Sequence, residues 1–190
     1  GQFGVQARYF YDSRDHTRVL QPGLEVETEA AYYFDVWDAH GSFSKLKGEF
    51  GGHIQLANPL LLSLFVGGEK VWGDFPFFEA AYLGGDHALP GYKWNRFAGD
   101  ASLYGMTQLR WAFSRLAGIV PGRVGVFVEG NVGRVFLEGE DSKKWHPSYG
   151  GGVFIAPFRG TGFFHIGVGD TQEGTFLLFR ANLAGFGLGG

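Results

Sequence analysis

The fold of this chain is decided by the stretch GLEVETEAAYYFDVWDAHGSFSKLKGEFGGHIQL, residues 23–56, in which apolar and charged side chains alternate with a period of two. Because successive side chains of a β-strand point to opposite faces, each half is predicted to be a strand with one apolar and one charged face. The apolar positions are Leu24, Val26, Thr28, Ala30, Tyr32, Leu46, Phe50, Ile54 and Leu56; the polar positions are Glu25, Glu27, Glu29, Lys45, Lys47, Glu49, His53 and Gln55.

The same alternation recurs along nearly the whole chain, and no segment has the period of an amphipathic helix. We therefore predict an all-β, antiparallel fold of about eight or nine strands in a single domain spanning residues 1–190. A long irregular segment, Gly73–Asp100, interrupts the pattern. The candidate strands are Val5–Arg14, the two halves of Gly23–Leu56, Leu60–Trp72, Ser102–Phe113, Val124–Phe136, Tyr149–Phe158, Phe163–Asp170 and Gly174–Phe186.

Glycine and aromatic residues are both abundant: the 190 residues include 33 Gly, 20 Phe, 8 Tyr and 5 Trp. Average glycine usage is about 7%, and an excess disfavours helices and suits bends and bulges in curved sheets. The net charge of −3 and the pI near 6.1 provide no basic footprint, so we expect no nucleic-acid partner. The chain has no cysteine, which excludes disulfides and thiolate metal sites.

The longest apolar run, residues 59–66, is far shorter than the ~20 residues of a membrane-spanning helix. The first residues lack the charged and apolar regions of a secretory signal, so the chain is expected to be a mature form or an excerpt. A membrane-spanning β-strand, however, needs only about 9–11 residues. The alternation leaves two interpretations open: a soluble sheet with its apolar face inside, and a membrane barrel with its apolar face outside.

Two features favour a transmembrane β-barrel over the soluble sheet. Short turns such as residues 121–122 and 159–162 alternate with longer polar loops such as residues 138–148, which is the layout of outer-membrane barrels. Aromatic side chains near strand ends are typical of the girdles at membrane interfaces. In this chain they are Tyr9, Tyr11, Tyr32, Tyr33 and Trp72.

In such a barrel the apolar face meets lipid and the charged face lines a wet lumen. Charges on neighbouring strands are expected to pair, Glu25, Glu27 and Glu29 with Lys45 and Lys47. The predicted lumen-facing residues are Glu25, Glu27, Glu29, Lys45, Lys47, Glu49, Arg110, Glu129, Asn131 and Arg180. The predicted lipid-facing residues are Leu24, Val26, Leu46, Phe50, Ile54, Leu109, Trp111, Val126, Val128, Leu177, Phe179 and Leu183.

No motif indicates catalysis, a metal or a cofactor. The six histidines, at positions 16, 40, 53, 87, 146 and 165, have no metal-ligating spacing, and the nucleophile motif Gly-x-Ser-x-Gly is absent. We therefore expect no enzymatic activity, no bound metal and no cofactor. His53 and His165 are predicted to be polar residues of the lumen.

The long connection carries Gly84-Gly85-Asp86-His87-Ala88-Leu89-Pro90-Gly91-Tyr92, then Asn95-Arg96-Phe97-Ala98-Gly99-Asp100 and a strand ending in Gln108-Leu109-Arg110. Asn131-Val132-Gly133-Arg134-Val135-Phe136 follows, and then Lys144-Trp145-His146 before Tyr149-Gly150-Gly151-Gly152. In this order the motifs resemble the C-terminal barrel of the bacterial surface antigen family, which includes the BamA and TamA outer-membrane insertases. The resemblance covers essentially the whole chain. It implies that the loop folds back into the lumen through Leu89, Pro90, Gly91, Tyr92, Arg96, Phe97, Gly99 and Asp100.

The chain departs from the family pattern in the loop motif. Pro90 stands where the family has an Arg, and Asn131 stands where the family usually has an Asp. In relatives that Arg reaches a carboxylate inside the barrel, so here both partners of an ion pair are replaced together and no charge is left buried alone. Tyr92, Arg96 and Asp100 remain as candidates for pinning the loop.

The resemblance implies an integral protein of the outer membrane of a Gram-negative bacterium. Its expected role is assembly, insertion or translocation of outer-membrane proteins, with lipids, client proteins and accessory lipoproteins as partners. The alternatives are a structural, anchoring or small-pore barrel without insertase activity, which the missing Arg favours, and a soluble all-β binding domain.

The resemblance also bears on strand count. Because the family barrel has sixteen strands, the chain is expected to be a small barrel or the C-terminal part of a larger one, without a POTRA domain. The last strand either forms a weak seam with the first strand or simply closes the barrel.

Overall fold

The strands that the alternation predicts are present in the computed structural model, which describes residues 3–16, 18–35, 41–116, 122–140, 143–157 and 162–183. The predicted ends of two strands, Phe158 and residues 184–186, lie outside the described residues. In chain order they are β1 (Phe3–Asp12), β2 (Gly23–Phe34), β3 (Phe43–Ala57), β4 (Leu60–Gly73), β5 (Ala81–Leu83), β6 (Phe97–Gly99), β7 (Ala101–Leu116), β8 (Gly122–Phe136), β9 (His146–Pro157), β10 (Gly162–Thr171) and β11 (Gly174–Leu183). Within these residues, nine strands form one antiparallel sheet in the order β1-β2-β3-β4-β7-β8-β9-β10-β11, and β5 pairs with β6. The predicted all-β, antiparallel class is confirmed.

The segment predicted to be irregular contains regular structure that the sequence pattern does not reveal. A short 3-10 helix spans Phe77–Glu79, and β5 and β6 form a two-stranded ribbon between β4 and β7. Elements of three residues are too short for a period of two to be recognised. The prediction for Gly73–Asp100 is therefore incomplete rather than wrong, since most of this connection lies outside the strands.

The large sheet is open in the described residues. Strand β1 pairs only with β2, and β11 pairs only with β10, so these two strands are its edges. The long β4–β7 connection lies at the same end as the β2–β3, β8–β9 and β10–β11 connections. The predicted division into a long-loop end and a short-turn end holds only in part, because the β10–β11 turn at the long-loop end is also tight.

The two sides of the sheet differ in what they bury. We call the side that carries Leu61, Phe127 and Phe154 the inner face, and the opposite side the outer face; these three side chains are fully buried. They form an apolar cluster with Leu20, from the β1–β2 connection, and Leu178, from β11. The inner face therefore has an apolar core at the short-turn end, covered by the β1–β2 connection.

Glycines on the inner face let the sheet bend sharply between β9 and β10. Gly152 lies opposite Gly167, and Gly150 lies opposite Gly169. A Cβ on Gly152 would lie 2.1 Å from the carbonyl oxygen of Ile166, so no side chain fits at this position. Glycines at such positions allow the curvature that brings distant strands together.

Candidate functional site

Most predicted lipid-facing side chains lie on the outer face and are exposed. Val128 in the middle of β8 is 58% exposed, which is unusual for an apolar side chain on a central strand, and Leu177 on the edge strand β11 is 87% exposed. Leu24, Leu46, Phe50, Ile54, Trp111, Val126, Val128, Leu177 and Phe179 are exposed, and Val26 and Leu109 are half-buried. The side chain of Leu183 lies outside the described residues. Contact of this face with lipid stays a prediction.

The predicted lumen-facing side chains lie on the inner face. Those on the central strands are the most enclosed, because the sheet curves around them and loops cover its ends. Glu129 and Asn131 are buried, Glu25, Glu29, Lys45, Glu49, Arg110 and Arg180 are half-buried, and Glu27 and Lys47 are exposed. The two histidines predicted for the lumen, His53 and His165, are buried on the same face.

A network of polar side chains begins at the β1–β2 end of the inner face. The guanidinium of Arg14 bridges two carboxylates, with its Nη2 2.6 Å from Oδ2 of Asp12 and its Nη1 2.9 Å from Oε2 of Glu25. The other Glu25 oxygen accepts a hydrogen bond from Nε2 of His53 at 2.9 Å. These contacts join β1, β2 and β3 through charged groups that the sheet and its connections shield from solvent.

The network continues through His53 into β4 and β7. A carboxylate only accepts hydrogen bonds, so Nε2 of His53 carries a proton, and in the neutral ring Nδ1 accepts from the Ser63 hydroxyl at 2.8 Å. Nη2 of Arg110 donates to the same Ser63 oxygen at 3.2 Å. Ser63, His53 and Glu25 are thus hydrogen-bonded one after another. However, Ser63 is fully buried, and its oxygen accepts a hydrogen bond from Arg110. These hydrogen bonds cross-link β2, β3, β4 and β7. The sequence analysis did not identify Ser63 as a polar contact, because it lies in an apolar run.

A second buried ion pair connects strands that are not neighbours. Nη1 and Nη2 of Arg180 on β11 donate to the two carboxylate oxygens of Glu129 on β8, each at 2.8 Å. Gln108 also donates to Glu129, at 3.1 Å. The arginine side chain thus crosses the two intervening strands, β9 and β10, to reach Glu129.

The predicted ion pairs between β2 and β3 do not form as expected. Glu29 lies directly opposite Lys47, but its carboxylate pairs with Arg8 of β1 at 2.8 Å. Lys45 lies opposite Ala31 and reaches the other way, to Glu69 at 2.6 Å. Sequence alternation identifies the face of each charge, but which of two neighbouring strands supplies its partner depends on register and side-chain reach.

The loop motif packs against the inner face at the long-loop end. Leu89, Pro90 and Tyr92 are buried, and Leu89 and Tyr92 belong to an apolar cluster with Leu83 and Tyr104. The Tyr92 hydroxyl donates to the carbonyl oxygen of Pro147 at 3.0 Å, and burial raises the pKa of this phenol. Tyr92 therefore anchors the loop to β9. Pro90, in the same motif, is fully buried and carries no charge.

Gly91 allows the loop to approach the β10–β11 hairpin closely. Its φ of +88° lies in the left-handed region that favours glycine. A Cβ there would lie 2.4 Å from the ring of Phe176 and 2.6 Å from Cγ2 of Thr171. The contact thus requires glycine for two independent reasons, the backbone conformation and the lack of space.

The second part of the motif fixes the loop to β9 and the β10–β11 turn. Nε of Arg96 donates to Oε1 of Glu173 at 2.8 Å, in a pair that is largely exposed to solvent. The Phe97 ring stacks on His146, with centroids 3.8 Å apart and planes at 23°. Arg96 and Phe97 thus contact two different elements at the same end of the sheet.

The end of the motif joins β7, β4 and β8 through backbone hydrogen bonds. The Asp100 amide donates to the Phe136 carbonyl at 2.8 Å, and the Asp100 carbonyl accepts from the Val71 amide at 2.8 Å. The Asp100 carboxylate accepts from the Glu138 amide. At Gly99 a Cβ would lie 2.4 Å from the Phe136 carbonyl oxygen, so any side chain there would push β6 away from the end of β8.

Lys45, which was predicted to face the lumen and to pair with a glutamate of β2, holds the long connection instead. Nζ of Lys45 lies 2.6 Å from Glu69 on β4 and 3.6 Å from Glu79 in the 3-10 helix. The connection is thus tied to β3 at its start, through Lys45, and to β9 and β10–β11 further along, through Tyr92 and Arg96. It spans the inner face from one half of the sheet to the other, which no local sequence signal could have indicated.

Among the described residues, no group of three or more His, Asp or Glu side chains could hold a metal ion. Within the same residues, no helix is long and apolar enough to cross a membrane. In comparisons with known proteins, no protein-family model matches the chain, and no curated protein sequence matches it.

Proposed function

We propose that this chain forms the wall of an integral outer-membrane β-barrel that acts in the assembly, insertion or translocation of other outer-membrane proteins. The observation that carries the proposal is the polarity of the sheet. Apolar side chains such as Val128 and Phe179 are exposed, whereas charged side chains such as Glu129 are buried on the other face. A soluble sheet has the opposite arrangement, and a transmembrane barrel has this one.

The open edges of the sheet support the second part of the proposal. Strands β1 and β11 each have one unpaired side in the described residues. An unpaired edge presents a row of backbone donors and acceptors that can template another strand. An edge that opens toward lipid would guide an incoming strand by hydrogen bonding, without breaking or making a covalent bond. The expected partners are outer-membrane lipids, client barrel proteins and accessory lipoproteins, and the location is the outer membrane of a Gram-negative cell.

The membrane placement can be tested with single cysteines, because the natural chain has none. L46C and K47C place a nitroxide spin label at neighbouring positions of β3, one on each face. In liposomes, the label at position 46 should collide mainly with oxygen, which concentrates in lipid, and the label at position 47 with a water-soluble nickel chelate. Equal accessibility at the two positions would contradict the membrane proposal.

Insertase activity needs a separate measurement. The protein is reconstituted in liposomes, and the folding rate of a reporter outer-membrane barrel is followed by its shift in gel migration. We expect faster folding than in empty liposomes and in liposomes that contain an unrelated barrel. No acceleration over the unrelated barrel would remove the insertase role and leave the membrane placement intact.

A structural or anchoring barrel is the second candidate, and the loop favours it. Pro90 is buried and offers no charge, while the amide of Asn131 donates to Ser148 at 3.2 Å. The ion pair expected from the family pattern is thus replaced by apolar packing and a neutral hydrogen bond. This candidate predicts normal membrane insertion of the chain and no effect on the reporter barrel.

A further inference from the structure

Three nitrogen-bearing side chains lie together on the inner face of β7, β10 and β11. His165 lies directly opposite Arg180 in the register of β10 and β11. The Arg110 guanidinium carbon lies 5.2 Å from the centroid of the Phe163 ring, and that ring lies 6.1 Å from the imidazole of His165. Arg110 and His165 therefore both lie close to the Phe163 ring.

Arg110 has no carboxylate partner in the described part of the chain. No Asp or Glu oxygen there lies within 4.0 Å of its nitrogens, and its hydrogen bond goes to the neutral Ser63 hydroxyl. Glu25 acts on it only at longer range, because the Glu25 oxygens bind Arg14 and His53. Charged groups inside proteins are normally paired with an opposite charge, so we expect an anion beside the Arg110 guanidinium.

The same region contains three buried nitrogen atoms that lack a hydrogen-bond partner: Nε of Arg110, Nε of Arg180 and Nε2 of His165. Arg180 uses its two terminal nitrogens on Glu129, which leaves its Nε free to donate elsewhere. His165 is only 7% exposed, and the rings of Phe127 and Phe154 lie 5.0 and 5.9 Å from its own. In folded proteins, nearly all buried polar atoms have a hydrogen-bond partner. Three unpartnered nitrogen atoms in one region therefore point to a ligand.

We propose that Arg110, His165 and Arg180 bind a small oxyanion on the inner face, either a phosphate or a carboxylate. Oxyanions accept several N–H hydrogen bonds at once, and arginine is the side chain best suited to donate them. One negative charge offsets the unpaired Arg110. The site lies on the inner face, opposite the exposed apolar outer face, so the anion comes from water rather than from a lipid headgroup.

The experiment measures thermal stability of the protein in a maltoside detergent, with ionic strength held constant by chloride. Inorganic phosphate, acetate and a short-chain phosphatidic acid are titrated in separate arms. We expect a saturable rise in melting temperature with phosphate or acetate and no saturable rise with the phosphatidic acid. The measurement is made in detergent and does not depend on insertase activity.

R110Q should raise the dissociation constant of the anion at least tenfold. The matched control is R8Q, which removes an exposed arginine of the inner face that pairs with Glu29 and should leave binding unchanged. If R110Q does not fold, R110K replaces it; lysine keeps the charge but lacks the guanidinium Nε, so binding should weaken several-fold.

Three results would overturn the proposal. The first is the same melting temperature in chloride, phosphate and acetate. The second is equal binding by the wild-type protein and the Arg110 variant that folds, which would indicate an adventitious ion only. The third is stabilisation by the phosphatidic acid alone, which would indicate that a lipid headgroup is the ligand.

Discussion

Glu129 shows what a single charged residue contributes to this fold. Its side chain is 2% exposed and holds both terminal nitrogens of Arg180 across two strands. A buried charge is tolerated when it is paired and hydrogen-bonded, and removing one partner leaves the other uncompensated. Glu129 therefore ties β8 to β11, although the two strands are not adjacent.

E129Q tests this cross-link. The change keeps the shape of the side chain but removes its charge, so Arg180 loses its ion pair and the protein should be destabilised by about 3 kcal/mol. The measurement is urea unfolding from detergent, followed by intrinsic tryptophan fluorescence. E27Q is the control, because Glu27 is exposed and its contact with Arg8 is 3.7 Å; it should change stability by less than about 0.5 kcal/mol. Equal effects of the two changes would contradict the proposed role of Glu129.

At the scale of elements, the loop motif is held by contacts with strands far away in sequence. Leu89 and Tyr92 pack on Leu83 and Tyr104, and Gly91 touches the β10–β11 hairpin. The sequence motif marks these residues as a group, but nothing in their spacing says which strands they meet. At Gly91, packing and backbone conformation both restrict the choice of residue.

G91A should detach the loop. An alanine at φ +88° is strained by about 1 kcal/mol or more, and its Cβ would also collide with Phe176. Trypsin should then cleave after the exposed Lys93 and Arg96 at least tenfold faster than in the wild-type protein.

G139A is the control for a strained alanine elsewhere in the chain. Gly139 has a φ of +81°, but a Cβ there would meet nothing within 4 Å. Gly139 lies in the β8–β9 connection, where alanine brings similar backbone strain but no collision, so cleavage after Lys93 should stay near the wild-type rate. If both variants are cleaved equally fast, the contact with Phe176 does not hold the loop.

The strands show how far local pattern reaches. The long strands could be predicted because each has enough residues for the period of two to appear, as in Gly23–Phe34. The ribbon of β5 and β6 could not, since each strand has three residues. Ser63 was missed as a polar contact because one small hydroxyl in an apolar strand carries no signal until the fold places His53 beside it.

At the scale of the whole molecule, the central question is which solvent meets the outer face. Val128 lies near the middle of β8, and Leu137 follows the end of the same strand; both are exposed. In water, an arginine at either position would be tolerated equally. In a bilayer, the cost depends on depth, about 2–4 kcal/mol at the midplane and about 0–1 kcal/mol near the interface.

V128R and L137R are therefore a matched pair. We expect V128R to reduce the free energy of unfolding from liposomes by about 2–4 kcal/mol and L137R to reduce it by less than about 1 kcal/mol. The measurement is the fraction folded at each urea concentration, read from the gel shift between folded and unfolded protein. Similar losses for the two variants would indicate that the outer face does not lie in lipid.

The sequence by itself determined the long strands, the face on which their side chains lie and the absence of disulfides, because these follow from local backbone geometry and composition. Only the tertiary structure decided the partners: Glu129 with Arg180, Arg8 rather than Lys47 with Glu29, and Tyr92 with Pro147. The reason is that register and curvature bring together residues distant in the chain, through glycines such as Gly152 that leave room for the bend. In the stretch at residues 23–56, alternation specified two faces, and the curved sheet enclosed the charged one.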